Sequence, residues 1–146
     1  MPSPIRVADL IPHQGAMCLL DDVVSWTPDT ILCRARSHLS SDNPLRRAGR
    51  LAAVCGIEYG LQAAALHGAL SADAGRQAPG YLASLRGVVV AADWLDDSEI
   101  GAMDVEASLV LRQAAGLIYD FHLRAENRRT LVSGRAMIAL PELEAP

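Results

Sequence analysis

From Leu51 to Leu66 the chain reads LAAVCGIEYGLQAAAL, apolar almost without a break. Only Glu58 and Gln62 interrupt it with strongly polar side chains, and at a spacing of four they stack on one face of a helix. Ala53, Gly56, Gly60 and Ala64 line a second stripe of small residues at helical spacing. A helix that is apolar nearly all round is a buried helix. At roughly 16 residues with a carboxylate at its middle, it is too short and too polar to span a membrane. The pattern predicts a long buried helix from Leu51 to about Gly68, where glycine can close it.

The flanking segments read differently. Val7 to Ile11 fits one helical turn, ended by Pro12. Ala16 to Trp26 and Thr30 to His38 read as strands about a Pro28-Asp29 turn, and in the second Ile31, Cys33, Ala35 and Ser37 face away from Arg34 and Arg36. That alternation marks a half-buried antiparallel strand. Leu39 to Arg50 has the Ser, Asp, Asn, Pro and Gly content of a loop, and Ala69 to Pro79 is a polar connection. The period then becomes two. Tyr81 to Ala91 is a strand whose Gly87 suggests a bulge. Met103 to Arg112 and Leu117 to Glu126 form a hairpin about Ala115-Gly116, and Thr130 to Leu140 is a last strand. Short connections predict one antiparallel meander. A single sheet can bury such a helix only by curling around it, so the expectation is an α+β domain over residues 1–146, a curved antiparallel sheet wrapped around a long central helix. One sheet covers only part of the helix, which predicts a dimer.

Composition narrows the options. At 146 residues, 51% hydrophobic and 21% charged, this is one ordinary globular domain with a real core. A net charge of −4 argues against nucleic acid, which wants a basic face. The one basic cluster, Arg46, Arg47 and Arg50, could meet an anionic ligand. Cys18, Cys33 and Cys55 have neither paired nor metal-type spacing and read as free thiols in a reducing compartment. The opening MPSPIRVADL lacks an apolar signal core, so a cytoplasmic location is the expectation.

Glu58 is the foremost candidate for chemistry. A buried carboxylate costs several kcal/mol unless paired or protonated, and the protonated form is what a general acid needs. A satisfied core glutamate is the equal alternative. Gln62 shares its face and could orient Glu58 or a substrate, or sit at a rim; Tyr59 reads as core with its hydroxyl at an edge. His13, His38, His67 and His122 are scattered, and each alone reads as structural or solvated. No grouping has metal spacing, no phosphate or dinucleotide loop or nucleophile elbow occurs, and no cofactor is expected.

Two motifs carry a resemblance. Leu10-Ile11-Pro12-His13-Gln14-Gly15-Ala16-Met17-Cys18-Leu19-Leu20-Asp21-Asp22-Val23-Val24 resembles the opening L-P-H-x-x-P-M/F-x-L-L-D-x-V of hotdog-fold 3-hydroxyacyl-[acyl-carrier-protein] dehydratases, and Glu58-Tyr59-Gly60-Leu61-Gln62-Ala63 resembles the E-x-M-A-Q of their central helix. The aryl-polyene-type branch is the most similar. The resemblance implies dehydration of a 3-hydroxyacyl thioester, on an acyl carrier protein or coenzyme A, to the trans-2-enoyl thioester. It implies that a histidine takes the α-proton, that Glu58 serves the departing hydroxyl, and that amides at the helix start polarise the carbonyl. Ala53, Gly56 and Gln62 are then expected to line the acyl-thioester site, at the interface with a second hotdog subunit, identical or different.

The chain also departs from that pattern. The fatty-acid enzymes carry their catalytic histidine in an H-F-P-G loop before the helix; here the loop is Asp42-Asn43-Pro44-Leu45-Arg46-Arg47-Ala48-Gly49-Arg50, without histidine, and the family's Pro-Gly becomes Ala52-Ala53. Three accounts follow: a different hotdog subunit supplies the histidine, His13 serves as the base, or the chain has lost the chemistry and binds acyl groups or supports a partner. Acyl-thioester hydrolysis with Glu58 activating water is the rival reaction on the same fold.

Overall fold

A computed structural model describes residues 6–11, 15–71 and 80–140. Six strands, β1 (Asp22–Trp26), β2 (Thr30–Ala35), β3 (Tyr81–Val90), β4 (Met103–Gln113), β5 (Gly116–Arg124) and β6 (Thr130–Ala139), surround one long helix, α1 (Gly56–Ser71). All pairings are antiparallel, in the order β1-β2-β4-β5-β6-β3. This is the hotdog fold, and α1 lies against β2, β4, β5 and β6.

The strands differ from the expected simple meander in one respect. β3 pairs with β6 and not with β4, so the β3–β4 connection crosses from one edge of the sheet to its middle. That connection is ordered by its own contacts: Leu95 is fully buried, its N–H donates to Leu51 O at 2.9 Å, and Trp94 bridges Ala52. The first strand is also shorter than its apolar run suggested, because Gly15–Met17 forms a 3-10 turn. Likewise the apolar run from Leu51 does not all belong to the α-helix. Ala53–Cys55 is a 3-10 turn, and α1 begins at Gly56 and runs past Gly68 to Ser71.

Two glycines set the spacing of helix and sheet. A Cβ at Gly56 would come within 2.9 Å of Val132 and 3.0 Å of Leu123, and one at Gly60 would lie 2.6 Å from the Phe121 ring. Phe121, itself buried, also reaches over Gly134, so one aromatic ring fills the space that two missing side chains leave. In β3 the bulge falls between Arg86 and Val89, with Gly87 at φ +59°, where an L side chain is strained.

Three fully buried polar side chains on and beside α1 bond distant backbone. His67 lies between Tyr119 Oη (2.7 Å from Nδ1) and Thr27 O (2.8 Å from Nε2). A carbonyl can only accept, so Nε2 carries the proton and the tyrosine donates to Nδ1. Gln62 bonds the opening segment, and His38 donates from Nε2 to Gly101 O at 2.8 Å. His38 Nδ1 has no partner among the described residues.

Burial pushes the pKa of both His38 and His67 below the ordinary 6.5, outweighing the carbonyl bonds that would raise it. The unfolded chain therefore binds more protons than the folded one as pH falls through 6.5. Stability is expected to be level above about pH 7 and to decline as pH drops below the ordinary histidine value. Urea midpoints measured across that window check this, and midpoints that stay level would contradict it.

A Gly60→Ala substitution is expected to destabilise the chain by about 1–3 kcal/mol through overpacking on Phe121. Adding Phe121→Leu should recover part of that loss in a double-mutant cycle.

Candidate active site

The loop from Ser37 to Arg50 and the first turns of α1 form one unit. Tyr59 Oη, expected at an edge, is fully buried and meets Ser37 Oγ at 2.7 Å and Asn43 Nδ2 at 3.0 Å. Asn43 also donates to Ser37 O and accepts from Leu45 N–H, so this amide sets the path of the loop under the helix. After it the chain turns back on itself. Arg47 and Arg50 exchange backbone hydrogen bonds of 2.8 and 3.0 Å around Ala48 (φ +52°) and Gly49 (φ +76°). Two successive left-handed residues make the tight turn, and at Ala48 the conformation costs roughly 1–2 kcal/mol.

The basic cluster proves largely committed to the protein itself. Asp96, from the β3–β4 connection, accepts from Arg50 Nε at 2.9 Å and from Leu51 N–H at 3.1 Å, with Arg46 Nη1 at 3.5 Å. Burial alone would raise the Asp96 carboxyl, but the Leu51 amide and the Arg50 guanidinium outweigh it and hold its pKa below the ordinary value. Arg50 also reaches Asp97 and stacks 4.3 Å over the Trp94 ring. Arg47 bonds only backbone carbonyls, of Pro44 and Arg46, among the described residues. Burial pushes the pKa of the half-buried Cys55 thiol up, with the Arg47 charge opposing the rise and Glu58 adding to it.

Glu58 is not the deeply buried group the apolar run suggested. It is half-buried, with no hydrogen bond or ion pair among the described residues. The reason is geometric: Val54, Ile57, Glu58, Leu61 and Ala65 recur at helical spacing on the one side of α1 that the sheet does not cover. Val54 and Ala65 are exposed, and Ile57 and Leu61 half-buried. Glu58 is the sole ionisable side chain on that stripe.

The other expected site residues lie apart from this stripe. Gln62, offered as a substrate or rim group, is fully buried, its Oε1 accepting from Leu19 N–H at 2.9 Å and its Nε2 donating to Met17 O at 2.7 Å. Gly56 faces the sheet, between Val132 and Leu123. Ala53 is buried and its N–H donates to Asp93 O at 3.0 Å, while Val54 N–H has no acceptor among the described residues. His13 lies outside the described residues. Of the other histidines, His38 and His67 are bound to backbone carbonyls, and His122 bonds Thr130 on the opposite face of the sheet. No group of three His, Cys, Asp or Glu side chains among the described residues could hold a metal ion. No helix among them is long and apolar enough to cross a membrane. Asn43 and Asp96 escaped the sequence reading; an Asn-Pro step in the loop is the one signal for the first, and nothing local signals the second.

A single long helix carrying one uncovered carboxylate, wrapped in a curved antiparallel sheet, defines a hotdog protein. The chain belongs to the ApeP-like family, described as ApeP dehydratase, which matches residues 5–145. Its fold is similar to that in the dehydratase heterocomplex ApeI:P from Xenorhabdus doucetiae, with 21% identity over 97% of this chain and 93% of that one and a TM-score of 0.75. A hypothetical thioesterase with coenzyme A from Streptococcus pneumoniae TIGR4 matches with 10% identity over 85% and 88% of the two chains and a TM-score of 0.61. AziG from S. sahachiroi matches with 16% identity over 87% and 94% and a TM-score of 0.63. No curated protein matches the sequence.

Replacing Gln62 by Leu is expected to cost about 1–3 kcal/mol, since it strands the buried Leu19 N–H and the Met17 carbonyl. Hydrogen exchange at the Leu19 amide should accelerate more than at the Phe121 amide in the sheet.

Proposed function

We propose that this chain is one subunit of a 3-hydroxyacyl-thioester dehydratase whose active site is completed by a second hotdog subunit. The observation that carries the reading is the position of Glu58, alone among ionisable groups on the apolar stripe of α1 that its own sheet leaves bare. A partner covering that stripe encloses the carboxyl with the substrate, where its acid form serves as the proton donor. That form can give a proton to the hydroxyl leaving C3 as water, while a base removes the C2 proton and the C2–C3 double bond forms. The Val54 N–H stands one turn ahead of Glu58, where a thioester carbonyl can accept it. Gly56, Ala53 and Gln62 act beneath this surface: the glycine seats the helix, the alanine amide fixes the Asp93 connection and the glutamine anchors the opening segment.

The base is assigned to the partner. The loop before the helix holds no histidine, and His38 and His67 are tied to carbonyls deep in the fold. The dehydratase relative is itself a heterocomplex. His13 is the in-chain competitor for this role. The substrate is an acyl thioester on a carrier protein or coenzyme A.

The test is turnover of a 3-hydroxyacyl carrier-protein thioester by the chain alone and with a co-expressed hotdog subunit that carries the H-F-P-G loop. Enoyl product is expected only from the pair. Glu58→Gln should lower its rate by roughly 10²–10⁴-fold with the melting temperature unchanged, and His13→Gln should leave the rate within a few-fold. Full activity of the Glu58→Gln pair would leave this chain a supporting subunit, and release of free thiol from a saturated acyl thioester would favour hydrolysis.

A further inference from the structure

Among the described residues β3 is an edge strand of the sheet. Its ten residues, Tyr81–Val90, pair with β6 on one side only. Tyr81, Leu82, Val89 and Val90 are 66%, 41%, 55% and 43% exposed. A long apolar edge of this kind invites another strand.

The residues across the sheet show what kind of strand fits. Asp120 on β5 stands opposite Arg135 on β6, and Arg135 stands opposite Arg86 on β3. Arg135 spends its guanidinium on Asp120 through two bonds, at 2.7 and 3.1 Å. The row therefore ends at the edge on a second arginine beside the first, exposed and without an ion pair among the described residues.

Arg86 is also one of the two middle residues of β3. When a strand pairs antiparallel with its own copy about a twofold axis, residues at its middle meet their own copies on the same face. A second copy centred on β3 brings arginine toward arginine, and β3, YLASLRGVVV, holds no carboxylate to set opposite Arg86 in any other register.

We infer that the β3 edge selects an unlike partner: another chain that adds an antiparallel strand carrying a carboxylate opposite Arg86. The inference deepens the proposed two-subunit reading by naming what the partner strand must carry. Opposite charges across neighbouring strands attract, whereas like charges repel, and here Arg86 continues the row Asp120–Arg135–Arg86 into alternating sign only if the next residue is acidic. The apolar ends of β3 supply burial with any partner; Arg86 supplies the choice.

The test uses this chain as its own charge-reversed partner and reads association, not activity. Wild-type protein is mixed with isotope-labelled Arg86→Glu protein, and the dimer populations are read by native mass spectrometry at low and high salt. Mixed dimers are expected to exceed the share set by random mixing, with pairing roughly 2–5-fold tighter than in either protein alone, and the excess should shrink as salt screens the charges. An Arg86→Met protein mixed with wild type should show no such salt-dependent excess. Mixing at the random share, wild type that dimerises as tightly alone as with Arg86→Glu, or no dimers in any sample would each overturn the inference. A failed dehydration assay with intact charge-selective pairing would count against the proposed reaction instead.

Discussion

The close approach of α1 to the sheet depends on two side chains that are absent. At Gly56 and Gly60 even a methyl group would run into Leu123, Val132 or Phe121, so the helix axis can sit at its observed depth only over bare backbone. That depth decides which residues of the helix are covered. Tyr59, Ala63, Leu66 and His67 sink into the curl, and the stripe through Val54, Glu58, Leu61 and Ala65 is turned outward. A helix held farther out would expose more of itself and present Glu58 at a different angle.

Polar groups then fix the orientation that packing alone leaves free. Apolar contact is non-directional, and a helix resting on glycines could rotate or slide. Gln62 ties its middle to the Met17–Leu19 backbone, Tyr59 ties its first turns to Ser37 and Asn43, and His67 ties its far end to Thr27 and Tyr119. Each tether is buried and leads to a different part of the chain. Glu58, flanked by the first two, carries no tether among the described residues.

Much of this was legible in the sequence, for reasons that differ by residue. The period-two strands, the Gly87 bulge and the small-residue stripe are local patterns, and local patterns follow from backbone geometry. The placement of β3 beside β6 was not legible, because it depends on where Leu95 and Trp94 dock and not on the length of a turn. Gln62 was misjudged for a related reason. Sequence shows an amide on a helix face but not whether backbone donors and acceptors from elsewhere will meet it. Glu58 was expected deep inside because its neighbours are apolar. Apolar neighbours on a helix, however, mark a surface that avoids water, and the chain that excludes it need not be the same one.

The turn before the helix has a consequence for which side chains the loop can carry. Arg46 and Arg50 are both bound to Asp96, and Asp96 in turn holds the Leu51 amide at the approach to the helix. A histidine introduced at position 46 or 50 would strip Asp96 of a guanidinium, and one at position 48 would have to adopt the left-handed backbone found there. No single exchange to histidine at these positions spares the turn. The ion pairs of this loop therefore fix its composition as well as its path, since a side chain exchanged there is exchanged at the expense of the approach to the helix.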